Sequence, residues 1–168
     1  MRLLAAIGAL AIIVAVAAPI YFFGGFFSVA ATEPHFNIVG WALERVRMAS
    51  ISHHATDKPS ISLDDPAVVQ AGAKAFNERG CVTCHGGPGA TWAKFSEALN
   101  PSPPDLAEVA KARTPAEIFW VVKHGLKFTG MPGFAAIDVK DDEIWKIAAF
   151  VKKLPAVSEA DFKTWTAR

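Results

Sequence analysis

Residues 81–90 read CVTCHGGPGA. They hold both cysteines of the chain, with two residues between them and a histidine directly after the second. The sequence on either side is helical. Upstream, Asp65 is a good N-cap, Pro66 suits the first helical position, and PAVVQAGAKAFNER runs on to Gly80, which can end the helix. Downstream, Pro101, Pro103 and Pro104 mark an irregular region before a short helix around LAEVAKAR. Thr114-Pro115-Ala116-Glu117 is a capping box that opens a helix through IFWVVKH to Gly125. GLKFTGMPGFAAI then reads as a loop. DDEIWKIAAFVKKL is the last clear helix, with acids in its first turn, Lys152 and Lys153 in its last, and a buried stripe of Ile144, Ile147, Ala148 and Val151. No stretch alternates as a strand does, so the expected class is all-α. A helical domain of about 90 residues buries little apolar surface for its length and is helped by a staple.

The cysteine pair is the candidate staple. A disulfide so short in sequence would close a tiny loop and add little. A structural zinc wants four ligands, and no second Cys/His pair stands at a suitable spacing. A thioredoxin-like dithiol belongs near a βαβ pattern, which is absent from the sequence pattern. Cys81-Val82-Thr83-Cys84-His85 fits C-x-x-C-H, the attachment site of a c-type haem. In that reading both thiols bond the haem covalently and His85 becomes the proximal iron ligand. A plain redox or disulfide pair stands as the alternative.

One histidine leaves a sixth iron position. The sequence offers Met48, Met131, His35, His53, His54 and His124. Met131 lies in Thr-Gly-Met-Pro-Gly-Phe, where Pro132 stiffens the chain and the flanking glycines allow close backbone approach. That setting marks Met131 as the sixth ligand. Met48 reads as helix packing, and His124 as a helix-terminal cation.

The chain from about residue 65 to 155 resembles a class I c-type cytochrome. Gly72 and Phe76 match the family's first helix, where the glycine permits close crossing by the last helix. Cys81, Cys84 and His85 match the attachment site. Pro104-Asp105-Leu106 resembles the segment whose proline carbonyl accepts a hydrogen bond from the ligand histidine and whose leucine packs on the haem. Thr129-Gly130-Met131-Pro132 resembles the axial methionine loop, and Trp145 and Phe150 the aromatic-bearing last helix. One residue more than the family pattern separates the Phe76 helix from Cys81. The resemblance implies one covalently attached haem c, bound by Cys81, Cys84, His85, Met131, Pro104, Leu106 and Trp120, with His85 and Met131 on the iron. Trp92 is a second candidate to line the haem or to hydrogen-bond a propionate.

Outside that core, residues 3–32 carry no charge, which is enough apolar chain to span a bilayer as a helix. Residues 1–31 are expected to form a transmembrane anchor, with an uncleaved signal as the alternative. Pro19 and Gly24-Gly25 mark a kink and the frayed far end. Arg2 before the span and Glu33 after it put the remainder outside the cytoplasm, which in a bacterium is the periplasmic face of the inner membrane. Residues 32–64 are expected to hold an amphipathic helix over 38–51, with Val39, Ala42, Leu43, Val46 and Ala49 on one face, which either packs on its own domain or lies on the membrane or a partner subunit, and then a polar linker. Residues 65–168 form the haem domain. The near-balanced charge, +1, gives no sign of a nucleic-acid surface.

A six-coordinate haem with His and Met ligands suits outer-sphere electron transfer, not catalysis. The expectation is an electron carrier working between respiratory redox partners. The alternatives are the haem c subunit of a membrane dehydrogenase or oxidase/reductase complex, and a gas-binding or peroxidatic protein. Lys94, Lys123 and Lys127 are candidates for a basic rim at the haem edge, against a reading as scattered solvated lysines.

Overall fold

In the computed structural model the described residues are 1–33 and 37–167, and among them regular structure is helical, with a single isolated bridge between Gly87 and Ala90. The chain forms two compact units divided after Pro34. The first is one long helix, α1 (Arg2–Phe23), with Pro19 inside it and Gly24 at its end. It buries none of its residues, and it is long and apolar enough to cross a membrane, with mean hydropathy 2.7. A 22-residue helix rises about 33 Å, close to the thickness of a bilayer's hydrocarbon core.

The second unit is built on a crossing of two helices. α3 (Pro66–Glu78) starts at Asp65, whose carboxylate accepts the Ala67 N–H. α7 (Asp141–Lys153) carries acids in its first turn and Lys152 and Lys153 in its last. They meet at Gly72, where a Cβ would lie 1.9 Å from the Lys146 carbonyl oxygen. The expected stripe of Ile144, Ile147, Ala148 and Val151 is buried, together with Trp145 and Phe150. Phe76 packs on Phe150 with ring centroids 5.2 Å apart, and Phe119 stacks on Trp145 at 4.0 Å.

Phe119 comes from α6 (Pro115–His124), which opens with the expected capping box and ends at Gly125. α5 (Leu106–Ala112) is capped by Asp105. Its C-terminal carbonyl end is held from α7, since the Lys152 ammonium donates to the carbonyls of Ala110 and Arg113. That closes acceptors a helix end leaves free.

Three features depart from the sequence reading. The first is a C-terminal helix, α8 (Glu159–Thr166), which follows the expected last helix. Ser158 caps it, accepting the Asp161 N–H, and it buries Phe162 against Phe150 at 5.6 Å. Eight residues with few apolar positions give too little periodicity to be seen in sequence.

The second is the stretch after the 38–51 helix. It runs along the domain and is not a free polar linker. Ile61 and Leu63 pack on the core, the Ser60 hydroxyl donates to Asp142 (2.8 Å), and Asp64 pairs with Lys153. Two apolar side chains among polar neighbours are enough to lay the strap down.

The third is the orientation of α2 (Asn37–His54). Of the two readings of its apolar face, packing on its own domain is not the one the structure adopts. Ile51 is buried, and Ser52 donates to Glu117 of α6 at 2.6 Å. Met48 meets the Arg113 guanidinium, and His54 stacks on Trp120 at 5.9 Å. Val39, Leu43, Val46 and Ala49 of that face are exposed, and Ala42 is half-buried. Specific contacts at the C-terminal half of α2 override its apolar periodicity. His35 lies outside the described residues.

Candidate functional site

CVTCH folds as one helical turn, α4 (Cys81–His85). Gly80 precedes it at φ 78° and Gly86 follows at φ 67°, so left-handed residues bracket the turn. Positions i, i+3 and i+4 of a helix share a face, which puts Cys81, Cys84 and His85 on one side of it. No disulfide joins the two cysteines. Burial pushes the Cys81 thiol up to about 12.

The His85 ring reaches out of this turn to the proline segment, with Nδ1 3.2 Å from the Pro104 carbonyl oxygen. A carbonyl only accepts, so Nδ1 carries the proton and Nε2 keeps its lone pair for a metal. Burial lowers the His85 pKa, and the Pro104 contact opposes that in part. The balance favours the neutral, ligating form.

A cleft of about 760 Å³ opens beside this turn. Cys84, His85, Trp92, Pro104, Leu106 and Leu154 are among its walls. The size and mixed lining are those of a cofactor-scale site. Trp92 is 53% exposed, and its indole N–H donates to the Glu97 carboxylate at 3.3 Å.

The structure therefore joins Cys84, His85, Pro104 and Leu106 at one site, with Cys81 on the same turn. Met131 and Trp120 are not among the residues lining that cleft. Met131 is half-buried against the hydrophobic core, on a loop pinched at its base. A Cβ on Gly125 would lie 2.6 Å from the Gly133 nitrogen, and one on Gly133 would lie 2.6 Å from the His124 carbonyl oxygen. Within the loop the Met131 N–H donates to the Thr129 hydroxyl, and the Leu126 N–H donates to the Met131 carbonyl, both at 3.1 Å. Gly130 sits against Leu99, so the loop tip rests on the segment that follows the cleft's Trp92 and Glu97. Trp120 stacks between His54 and His124.

Sequence reasoning missed two contributors. Phe162 of α8 covers Gly87, where a Cβ would lie 3.1 Å from its ring, and Glu159 covers Gly89 in the same way. The glycines after His85 were the available signal, since they mark close approach by another part of the chain. Two of the three candidate rim lysines are engaged. Lys94 pairs with Glu97, and Lys123 pairs with Asp141 at 2.8 Å. Among the described residues no group of three or more His, Cys, Asp or Glu converges as a metal site.

Two thiols and a neutral imidazole on one turn, beside a cleft of this size, fit a haem better than an ion held by side chains alone. Residues 67–151 match the family described as cytochrome c oxidase, cbb3-type, subunit III. The chain belongs to this c-type cytochrome family. Its helical fold, with the Gly72 crossing and the His85–Pro104 contact, agrees with that membership, and the family implies haem-based electron transfer. No curated protein and no solved structure gives a significant match.

Proposed function

We propose that this cytochrome is a membrane-anchored, mono-haem electron carrier working on the periplasmic side of a bacterial inner membrane, between respiratory redox partners. The observation that carries the reading is the His85–Pro104 contact at 3.2 Å within C-x-x-C-H, which leaves Nε2 free beside the cleft. Cys81 and Cys84 would hold one haem c through thioether bonds, His85 would be the proximal ligand and Met131 the sixth. Pro104 would fix the ring of His85, and Leu106 would pack on the haem. A haem so held supplies a one-electron Fe(III)/Fe(II) couple, and methionine ligation raises its potential.

The protein's own part is to hold, orient and shield. The Gly80 and Gly86 bends aim one helical turn at the cleft. The Pro104 carbonyl holds the imidazole in one tautomer. α8 covers the following loop through Phe162. Trp120 remains a candidate haem-side residue acting from α6.

The test is mass spectrometry and the visible spectrum of protein matured in a host that attaches haem c. One haem mass retained under denaturation, with the far-red Met–Fe(III) charge-transfer band, is expected. Haem lost on denaturation, or absence of that band, would overturn the thioether or the methionine assignment respectively.

A second reading is the haem c subunit of a membrane oxidase complex. The family description favours it. Gentle detergent extraction, a haem-stained native gel and mass spectrometry of the band separate the two. A small band without companions supports the independent carrier, and a large one supports the subunit.

A further inference from the structure

α2 is fastened by one side and bare on the other. Its inward side carries Ile51, the Ser52–Glu117 hydrogen bond and the His54–Trp120 stack. Ile38, Val46 and Trp41 are exposed by 73%, 67% and 58%, and Val39 and Leu43 lie beside them on the outward side. At 100° per residue Ile38, Val46, Val39 and Leu43 form one aliphatic arc, and Trp41 stands about 60° to the side of Ile38. Arg45 lies at the edge of this arc, between Ile38 and Trp41, with its guanidinium 5.9 Å from the centre of the Trp41 ring. The domain is not available to this arc, because the same helix sets its other side against α6.

We infer that the outward face of α2 is a lipid-binding surface, seated in the headgroup layer of the membrane. The inference rests on the reading of α1 as a membrane span. Three observations favour lipid over a protein partner. Only residues 24–36 separate the end of α1 from the start of α2, so with α1 in a bilayer the start of α2 stays within about 45 Å of it. The arc is aliphatic and has an exposed tryptophan beside it, a composition that settles at the boundary between headgroups and acyl chains. Its border is cationic at Arg45, where phosphate groups would lie, and the Arg45–Trp41 pair lets the charge reach headgroups while the ring stays in the apolar layer.

The consequence is orientation. The Ser52–Glu117 and His54–Trp120 contacts join α2 to α6, so seating α2 on lipid fixes which way the haem-bearing domain faces.

The test uses the full chain with haem attached, reconstituted in vesicles of phosphatidylcholine and phosphatidylglycerol. With both native cysteines bonded to haem, Val46→Cys takes a nitroxide label at one place, and Lys163→Cys on exposed α8 gives the aqueous control. At Val46 the label should be relaxed several-fold less by a water-soluble nickel chelate, and more by oxygen, than at Lys163. Equal nickel accessibility at the two sites would overturn the inference. Protection from both reagents with spin–spin broadening would also overturn it, in favour of a second copy. Ile38→Cys repeats the reading if the Val46 variant fails to retain haem. Alkaline carbonate washing reports on α1 separately. Retention with an aqueous Val46 label faults this inference alone, and release of a protein whose label had been lipid-buried faults the anchor alone.

Discussion

The carbonyl oxygen of Lys146 occupies the space where a side chain on residue 72 would begin. A Cβ on Gly72 would lie 1.9 Å from that oxygen, 2.6 Å from its carbon and 3.0 Å from the Phe150 Cβ. Two of the three atoms are backbone, so no rotamer change relieves the clash. Gly72→Ala must therefore separate α3 from α7. It should cost about 1–3 kcal/mol or more, measured by denaturant unfolding, with Gly72→Val retaining less haem than Gly72→Ala. Wild-type stability in Gly72→Ala would mean that the crossing is looser than described.

Phe162 should matter more than its place near the chain end suggests. It is 4% exposed, stacks on Phe150 and covers Gly87. Phe162→Ala should destabilise by about 3–5 kcal/mol. Hydrogen exchange should quicken at Gly86–Ala90, and unchanged protection there would show that α8 does not hold the loop.

Met131→His should keep a six-coordinate haem and lower the reduction potential in a spectroelectrochemical titration. Met131→Ala should open the sixth position to carbon monoxide in the ferrous state. An unchanged potential in the histidine variant would move the sixth ligand elsewhere.

Acid should weaken the start of α7. Arg79 donates to Glu143 at 2.6 and 3.0 Å, and this contact holds the Glu143 carboxyl below the usual glutamate range. A carboxyl with a lowered folded-state pKa contributes stability above its unfolded pKa, about 4.3, and loses it as pH falls through the lower folded value. Stability measured from pH 6 down toward about pH 3 should therefore fall less steeply in Glu143→Gln than in wild type. Equal slopes would show that the exposed pair is screened to insignificance.

Much of this was legible in residues with local signatures. Asp65-Pro66, the Thr114–Glu117 box and the Gly125 stop fixed the ends of α3 and α6 because capping is decided by a few adjacent atoms. C-x-x-C-H and Pro104 named one half of the site, and His85 and Pro104 meet there. What escaped depends on distant contacts. The facing of α2 is set by Glu117 and Trp120, more than sixty residues away. The strap through Ile61 and Leu63, and the seat of Phe162, need the assembled core before they have anything to pack on.

Glu117 closes the Thr114 cap with one carboxylate oxygen, taking the Thr114 N–H at 2.9 Å, and takes the Ser52 hydroxyl with the other at 2.6 Å. Burial raises its pKa, but the Ser52 and Thr114 hydrogen bonds and the Arg113 charge outweigh this and bring it below the ordinary range. The two oxygens tie two evolutionary constraints to a single codon. Aspartate keeps the charge but is one methylene short of spanning both partners, and glutamine replaces one acceptor oxygen with a donor. A substitution at position 117 therefore disturbs both contacts at once, while one at Ser52 removes only the contact it shares with Glu117.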